Sequence, residues 1–193
     1  MNIFGRMYRI LRSPTTEWMV IEQERADVSY QLNSYVAVLA AIPAISGLIG
    51  FSAIGVGVPD VGTMRVPVFS GLLGAVFGYV SAFAFVYLLA MIANLLAPRF
   101  AATKNFPAAL QLVVYSSTPV WVTGFFLLLP GLRFLSVLGL YGVYLLWRGL
   151  PILMKAPAER SSVYVVILFA VAIVVRILIG WTEATLFSLP QAI

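Results

Sequence analysis

Any acid–base or metal chemistry in this 193-residue chain depends on seven acidic side chains, because the sequence contains neither Cys nor His. Without Cys there is no thiolate nucleophile, iron–sulfur cluster or thiolate zinc site. Without His the commonest general base is missing. A magnesium site from Glu22 and Glu24 is disfavoured, because side chains two residues apart on a helix do not share a face. We therefore expect no catalytic residue, cofactor or metal ion, and we predict that the protein is not an enzyme.

The elements that position these residues are apolar. The chain is 62% hydrophobic and only 10% charged, whereas soluble domains carry about 25% charged residues. A membrane-spanning helix needs about 20 residues. Five stretches meet this requirement: 34–57, 67–97, 106–129, 132–150 and 162–181. We predict an all-α polytopic transmembrane bundle of five spans in residues 33–193, preceded by a cytoplasmic N-terminal segment, residues 1–32.

Arginines recur every three residues near the N-terminus, at Arg6, Arg9 and Arg12, among apolar neighbours. This spacing puts them on one helical face and predicts an amphipathic helix on the membrane surface, with the arginines against anionic head groups. A partly ordered tail is the alternative. Thr15 or Thr16 is a candidate cap for a second polar helix, residues 17–32. We therefore attribute the net charge of +5 to basic residues that face anionic lipid rather than to binding of nucleic acid.

Basic residues are distributed unequally between the two sides of the predicted spans. Nine lie on the side of the N-terminus and three on the other side. The nine are Arg6, Arg9, Arg12, Arg25, Arg99, Lys104, Arg148, Lys155 and Arg160, and the three are Arg65, Arg133 and Arg176. The positive-inside rule then predicts a cytoplasmic N-terminus and an external C-terminus. The lack of Cys and His fits a prokaryotic plasma (inner) membrane.

Small residues in the second predicted span indicate close helix packing. Gly71, Gly74 and Gly78 form a stripe that includes a Gly-x-x-x-Gly pattern, which allows two helix backbones to approach each other. Two interpretations are open: packing within the chain, or the seam of a homo-oligomer.

Polar residues inside the predicted spans are candidates for a cavity or a partner groove. In the third span Tyr115, Ser116, Ser117 and Thr118 precede Pro119, which removes a helix hydrogen bond. The hydroxyls either satisfy carbonyls of their own helix or line a cavity.

Two further candidates lie in the second and fifth spans. Asn94 lies near one end of the second span. Arg176 in the fifth span reaches the head groups if the helix ends near Trp181, and needs a polar partner if the helix continues to Phe187.

Three segments occur in an order that resembles a known family. Pro14-x-x-x-Trp18-x-x-Ile21 precedes the first span, and Tyr115-x-x-x-Pro119-x-Trp121 lies in the third. The fourth span and its exit read Leu140-Tyr141-x-x-Tyr144-Leu145-Leu146-x-x-Gly149-Leu150-Pro151. This order on five spans resembles the Yip family, membrane proteins named for interacting with Ypt/Rab GTPases. The resemblance covers nearly the whole chain and implies an all-helical five-span fold.

In eukaryotic relatives the resemblance implies vesicle trafficking, binding of prenylated Rab GTPases and association with other family members. This chain has no long polar arm and lacks the Asp-Leu-Tyr-Gly-Pro-type motif associated with that arm. It is similar to the short microbial branch, and Rab binding is not carried over.

Two function classes remain. The first is a non-enzymatic membrane-organising or scaffolding protein, favoured by the basic N-terminal segment and the resemblance. The second is a small transporter, channel or lipid-handling protein, favoured by the intramembrane prolines and by Arg176.

Overall fold

The computed structural model describes residues 2–24, 26–58 and 62–187, and within them five helices are long and apolar enough to cross a membrane. They are Val28–Ile54, Val68–Phe100, Phe106–Leu128, Pro130–Leu153 and Ala158–Thr185, called the first to fifth spans. The predicted all-α polytopic bundle of five spans is confirmed. The C-terminal residues 188–193, whose predicted side is external, lie outside the described part of the chain.

Two short helices precede the spans, α1 (Ile3–Arg12) and α2 (Pro14–Gln23). The prediction of one polar helix over residues 17–32 is wrong, and neither Thr15 nor Thr16 is its cap. Helix α2 already begins at Pro14 and ends before Glu24, which is extended. A new helix then begins at Val28, because the Asp27 carboxylate accepts a hydrogen bond from the Tyr30 amide at 3.0 Å. The first span therefore starts earlier than predicted.

The first span is not a uniform helix. It has π-helical geometry at Gln31–Val36 and Ile49–Ile54, on either side of the α-helical segment Ala37–Leu48. Pro43 lies within that segment and packs against Gly124 of the third span, where a Cβ would come within 2.5 Å of the proline ring. Strands β1 (Val56–Val58) and β2 (Gly62–Met64) form a small antiparallel hairpin that follows the first span.

The third span is the central helix of the bundle, since every residue from Ala108 to Ser116 is buried. This span is interrupted at Ser117, two residues before Pro119: an α-helix over Phe106–Ser116 ends, and a second one runs over Thr118–Thr123. The fourth span begins as a 3-10 helix, Pro130–Leu140, and becomes α-helical at Tyr141–Leu153. The second and fifth spans are long α-helices, Val68–Leu96 and Ala158–Phe187, at the perimeter of the bundle.

One end of the bundle collects most of the basic residues. The amide of Thr103, between the second and third spans, donates to the carbonyl of Met154, between the fourth and fifth, at 2.7 Å. Lys155 forms an ion pair of 2.6 Å with Glu22 of α2. The α1–α2 hairpin and these two loops therefore lie together, at what we call the basic end.

The predicted glycine stripe is only partly a packing surface. A Cβ at Gly71 would overlap the hydroxyl of Ser52 in the first span, so Gly71 packs within the chain. A Cβ at Gly74 would lie 3.6 Å from the carboxylate of Glu183, and one at Gly78 would meet nothing. The packing prediction is therefore wrong for Gly78 within the described chain, and a seam with a second copy stays a prediction.

Other glycines also allow close helix approaches. A Cβ at Gly50 would overlap the carbonyl oxygen of Leu127, and one at Gly142 would overlap that of Ser116. A Cβ at Gly149 would come within 2.6 Å of Leu112 and 2.7 Å of Trp18. The three glycines thus bring the first span close to the third, the third close to the fourth, and α2 close to the fourth.

Candidate functional site

Four charged side chains, of which Arg6 and Glu17 are buried, hold the α1–α2 hairpin. We call them the Arg6 cluster: Arg6, Arg9, Glu17 and Glu24. Arg6 is only 1% exposed and Glu17 only 3%. The Arg6 guanidinium donates to the Glu17 carboxylate at 2.5 Å and also to Glu24. Arg9 Nε donates to both carboxylate oxygens of Glu17, at 3.1 and 3.0 Å. Glu17 thus accepts hydrogen bonds from two arginines.

Burial and ion pairing change the pKa of Arg6 in opposite directions. Burial disfavours its positive charge, but the hydrogen bond to Glu24 and the charges of Glu17 and Glu24 outweigh it, so the pKa of Arg6 is raised above its ordinary value. A group with a raised folded-state pKa stabilises the fold at every pH below its unfolded-state pKa. Arg6 is therefore charged throughout the physiological range.

Aromatic side chains connect the Arg6 cluster to the third span. The Arg6 guanidinium carbon lies 5.9 Å from the ring centroid of Tyr115. Tyr115 packs edge-to-face against Trp18 of α2 and Tyr35 of the first span, at centroid distances of 6.3 and 4.8 Å. The Tyr35 hydroxyl is 2.9 Å from that of Thr118, and both side chains are fully buried. The cluster therefore sits on a polar–aromatic layer shared by two spans.

This layer lies within the spans rather than beyond their ends. Tyr115 follows Phe106, the first residue of the third span, by nine residues, which is about 14 Å of helix. The hydroxyl of Tyr141 in the fourth span donates to the carbonyl of Leu11 at 3.2 Å. Ionisable side chains that are almost fully buried are rare and are paired when they occur, as Arg6 and Glu17 are. They are the strongest functional-site candidate among the described residues.

The prediction that Arg6 contacts lipid head groups is wrong, because its side chain is buried and ion-paired. Arg9 is half exposed while bound to Glu17. Arg12 is exposed and donates to the Tyr8 hydroxyl at 2.5 Å. Contact of these two with head groups stays a prediction. The sequence signal for the cluster was the three arginines of α1 followed by glutamates in and just after α2.

The candidate cavity or groove residues of the third span are mostly buried in protein. Tyr115, Ser116, Thr118 and Pro119 are buried. The Ser117 hydroxyl donates to the Val113 carbonyl of its own helix at 2.8 Å. The Ser116 hydroxyl has no hydrogen-bond partner among the described residues.

Asn94 and Arg176 are not brought to this site. The amide oxygen of Asn94 is buried without a hydrogen-bond partner in the described chain. Arg176 is exposed on the fifth span, whose helix continues to Phe187 rather than ending near Trp181. It follows Ala158 by 18 residues, about 27 Å of helix, so it approaches the far boundary of a hydrocarbon layer about 30 Å thick. No described carboxylate forms an ion pair with it.

Sequence reasoning missed two arginines that bind backbone or hydroxyl oxygens. Arg133 donates to the carbonyl of Gly50 at 2.9 Å and lies over the Phe51 ring at 4.0 Å, at the end of the first span. Arg148 donates twice to the Thr15 hydroxyl, at 3.1 and 2.5 Å. These partners are far away in sequence, so spacing could not reveal them.

Comparison with known proteins agrees with this architecture. A family model of the Yip1 domain matches residues 8–179. The inner membrane protein YohC of Escherichia coli strain K12 is 25% identical over 161 residues, which cover 81% of this chain and 83% of the relative. The same values apply to inner membrane protein YohC of Escherichia coli O6:H1. No solved structure gives a significant match.

Proposed function

The chain belongs to the Yip1 domain family of integral membrane proteins, and on that premise we propose that it is a non-enzymatic scaffold that organises other proteins in a prokaryotic inner membrane. The α1–α2 hairpin is the proposed docking element. The family match and the inner membrane relatives support the membrane location.

The observation that carries this proposal is the way in which the hairpin is fixed. Four of its charged side chains form the Arg6 cluster, while four large apolar side chains remain exposed. Phe4 and Tyr8 of α1 are 61% and 55% exposed, and Met19 and Val20 of α2 are 47% and 41% exposed. A rigid apolar surface beside the bundle suits contact with the helix of another membrane protein.

The alternative, a small transporter or lipid-handling protein, has one observation in its favour. An apolar groove of about 300 Å³ lies between the first and second spans, lined by Ala41, Ala44, Leu72 and Tyr79 among others. It suits an acyl chain more than a polar solute. Burial of the hydroxyls around Pro119 counts against a solute path through the third span.

Photo-crosslinking from the hairpin tests the scaffold. With benzoylphenylalanine at position 19, we expect one defined protein adduct, either a second copy of this chain or one partner. The paired change Phe4→Ser/Tyr8→Ser should abolish the adduct. The control pair Phe134→Ser/Val137→Ser, equally exposed on the fourth span, should leave it. Lipid adducts alone, or an adduct insensitive to the first pair, would contradict the scaffold.

A flux assay separates the two functions. The purified chain in proteoliposomes should move neither solutes nor fluorescent lipids faster than empty vesicles do. Faster movement would favour the alternative. Deleting residues 1–13 is a poorer test, because it removes Arg6 and leaves Glu17 buried without that partner.

We propose further that the basic end faces the cytoplasm, as the nine-to-three distribution of Lys and Arg indicates. A fluorescent protein that matures only in the cytoplasm should be bright when fused after Ala102 and dark when fused after Trp181. A periplasmic phosphatase should give the opposite pattern. Equal signals at both positions would contradict a five-span topology.

A further inference from the structure

A pocket of about 260 Å³ lies at the basic end, where α2 meets the fourth and fifth spans. Three of its lining side chains are polar or aromatic and belong to α2 or the fourth span: Thr15, Trp147 and Arg148. Ile152 and Ala158 supply apolar wall, and Ser161 lies in the first turns of the fifth span. The pocket is separate from the Arg6 cluster.

Arg148 is half-buried, and no described carboxylate forms an ion pair with it. Arg6, Arg9 and Lys155 each form an ion pair with a glutamate. Within the described ranges, Arg148 contacts only the Thr15 hydroxyl and the face of Trp147, whose centroid is 5.8 Å from its guanidinium carbon. A guanidinium has five donors, so donors of Arg148 remain available to an anion.

The remaining walls fit the rest of an amphipathic phosphate ester. The Trp147 indole donates to the Ser162 hydroxyl at 3.3 Å, which holds the ring at the pocket edge. Tryptophan at such a position is typical of the membrane–water boundary. The amides of the first turn of the fifth span add positive potential. Glu159 lies in that turn but does not line the pocket.

We propose that this pocket binds the phosphate group of an anionic ligand, with Arg148 as the main cationic contact. Planar guanidinium groups bind phosphate through paired hydrogen bonds. Basic pockets between membrane helices on the cytoplasmic side are sites for anionic lipid head groups. The ligand source is either a phospholipid head group or a soluble phosphate ester.

Native mass spectrometry of the delipidated full-length chain tests this site. The probes are phosphatidylglycerol, phosphatidylcholine and inorganic phosphate. Arg148→Gln should weaken phosphatidylglycerol binding by about tenfold, the value of one charged hydrogen bond. Arg160→Gln removes the same charge from an exposed arginine outside the pocket and should change binding by less than about twofold.

Each outcome decides the proposal. Phosphatidylglycerol binding that depends on Arg148 supports a lipid source, and inorganic phosphate binding with the same dependence supports a soluble one. Equal losses in both arginine variants, or binding of neither phosphatidylglycerol nor inorganic phosphate, overturn the proposal. If Arg148→Gln does not fold, Ala158→Trp fills the pocket while Arg148 and Thr15 stay in place. Undiminished binding in that variant overturns the proposal as well.

Discussion

Replacing Arg6 by methionine should lower the free energy of unfolding by about 3–5 kcal/mol, the usual cost of removing one partner of a buried ion pair. The Glu17 carboxylate would remain buried and lose its 2.5 Å hydrogen bond from Arg6, with only Arg9 left to neutralise it. Unfolding of the purified chain in mixed detergent–SDS micelles, followed by circular dichroism, measures the loss. Hydrogen exchange at α1 should also become faster.

Two further variants test whether the loss of stability comes from breaking the buried ion pair or from removing any arginine of α1. Arg12→Met removes an exposed arginine of the same helix and should cost less than about 0.5 kcal/mol. The double change Arg6→Met/Glu17→Met should recover most of the loss, because a buried ion pair can be replaced by apolar side chains at little cost. Equal costs for Arg6→Met and Arg12→Met would show that Arg6 is not buried as described.

Changing Gly142 to alanine should destabilise the bundle by about 1–3 kcal/mol, the usual cost of overpacking. The added methyl group would overlap the carbonyl oxygen of Ser116, and backbone cannot move aside as a flexible side chain can. The third and fourth spans would therefore separate next to the break at Pro119. The same detergent titration measures this loss.

Gly78 provides the matched control, because a Cβ there would meet nothing. Gly78→Ala should be neutral or slightly stabilising, since alanine has the higher helix propensity. If Gly78→Ala proved as harmful as Gly142→Ala, the second span would have to pack there against another chain. That result would favour the homo-oligomer seam.

The number and approximate position of the spans could be predicted from sequence, because uncharged stretches in lipid must form helices of a minimum length. The ends of the spans were less predictable. The first span begins at Val28 because of a single side-chain cap from Asp27, and the fifth continues past Trp181. Such ends depend on local hydrogen bonds rather than on hydrophobicity.

The candidate site was harder to predict from the sequence than the spans were. Periodicity predicted Arg6, Arg9 and Arg12 on one face but could not show that Arg6 would be buried against Glu17 while Arg12 stayed exposed. The Gly-x-x-x-Gly pattern comprises Gly74 and Gly78, whereas close approaches occur at Gly50, Gly71 and Gly142, which belong to no such pattern. Pairing across more than a hundred residues depends on how the spans pack, and no local pattern records it.

The long-range docking of the hairpin also sets an order of events during biosynthesis. Thr15 is separated by 133 residues from Arg148, its hydrogen-bond partner. At a translation rate of about 5–20 residues per second, the hairpin leaves the ribosome on the order of ten seconds before that partner is made. During this interval the ion pairs of Arg6 with Glu17 and Glu24 can already form, because all three residues have been synthesised. The hairpin is thus synthesised first but can complete its contacts with the fourth span only after that span has been made.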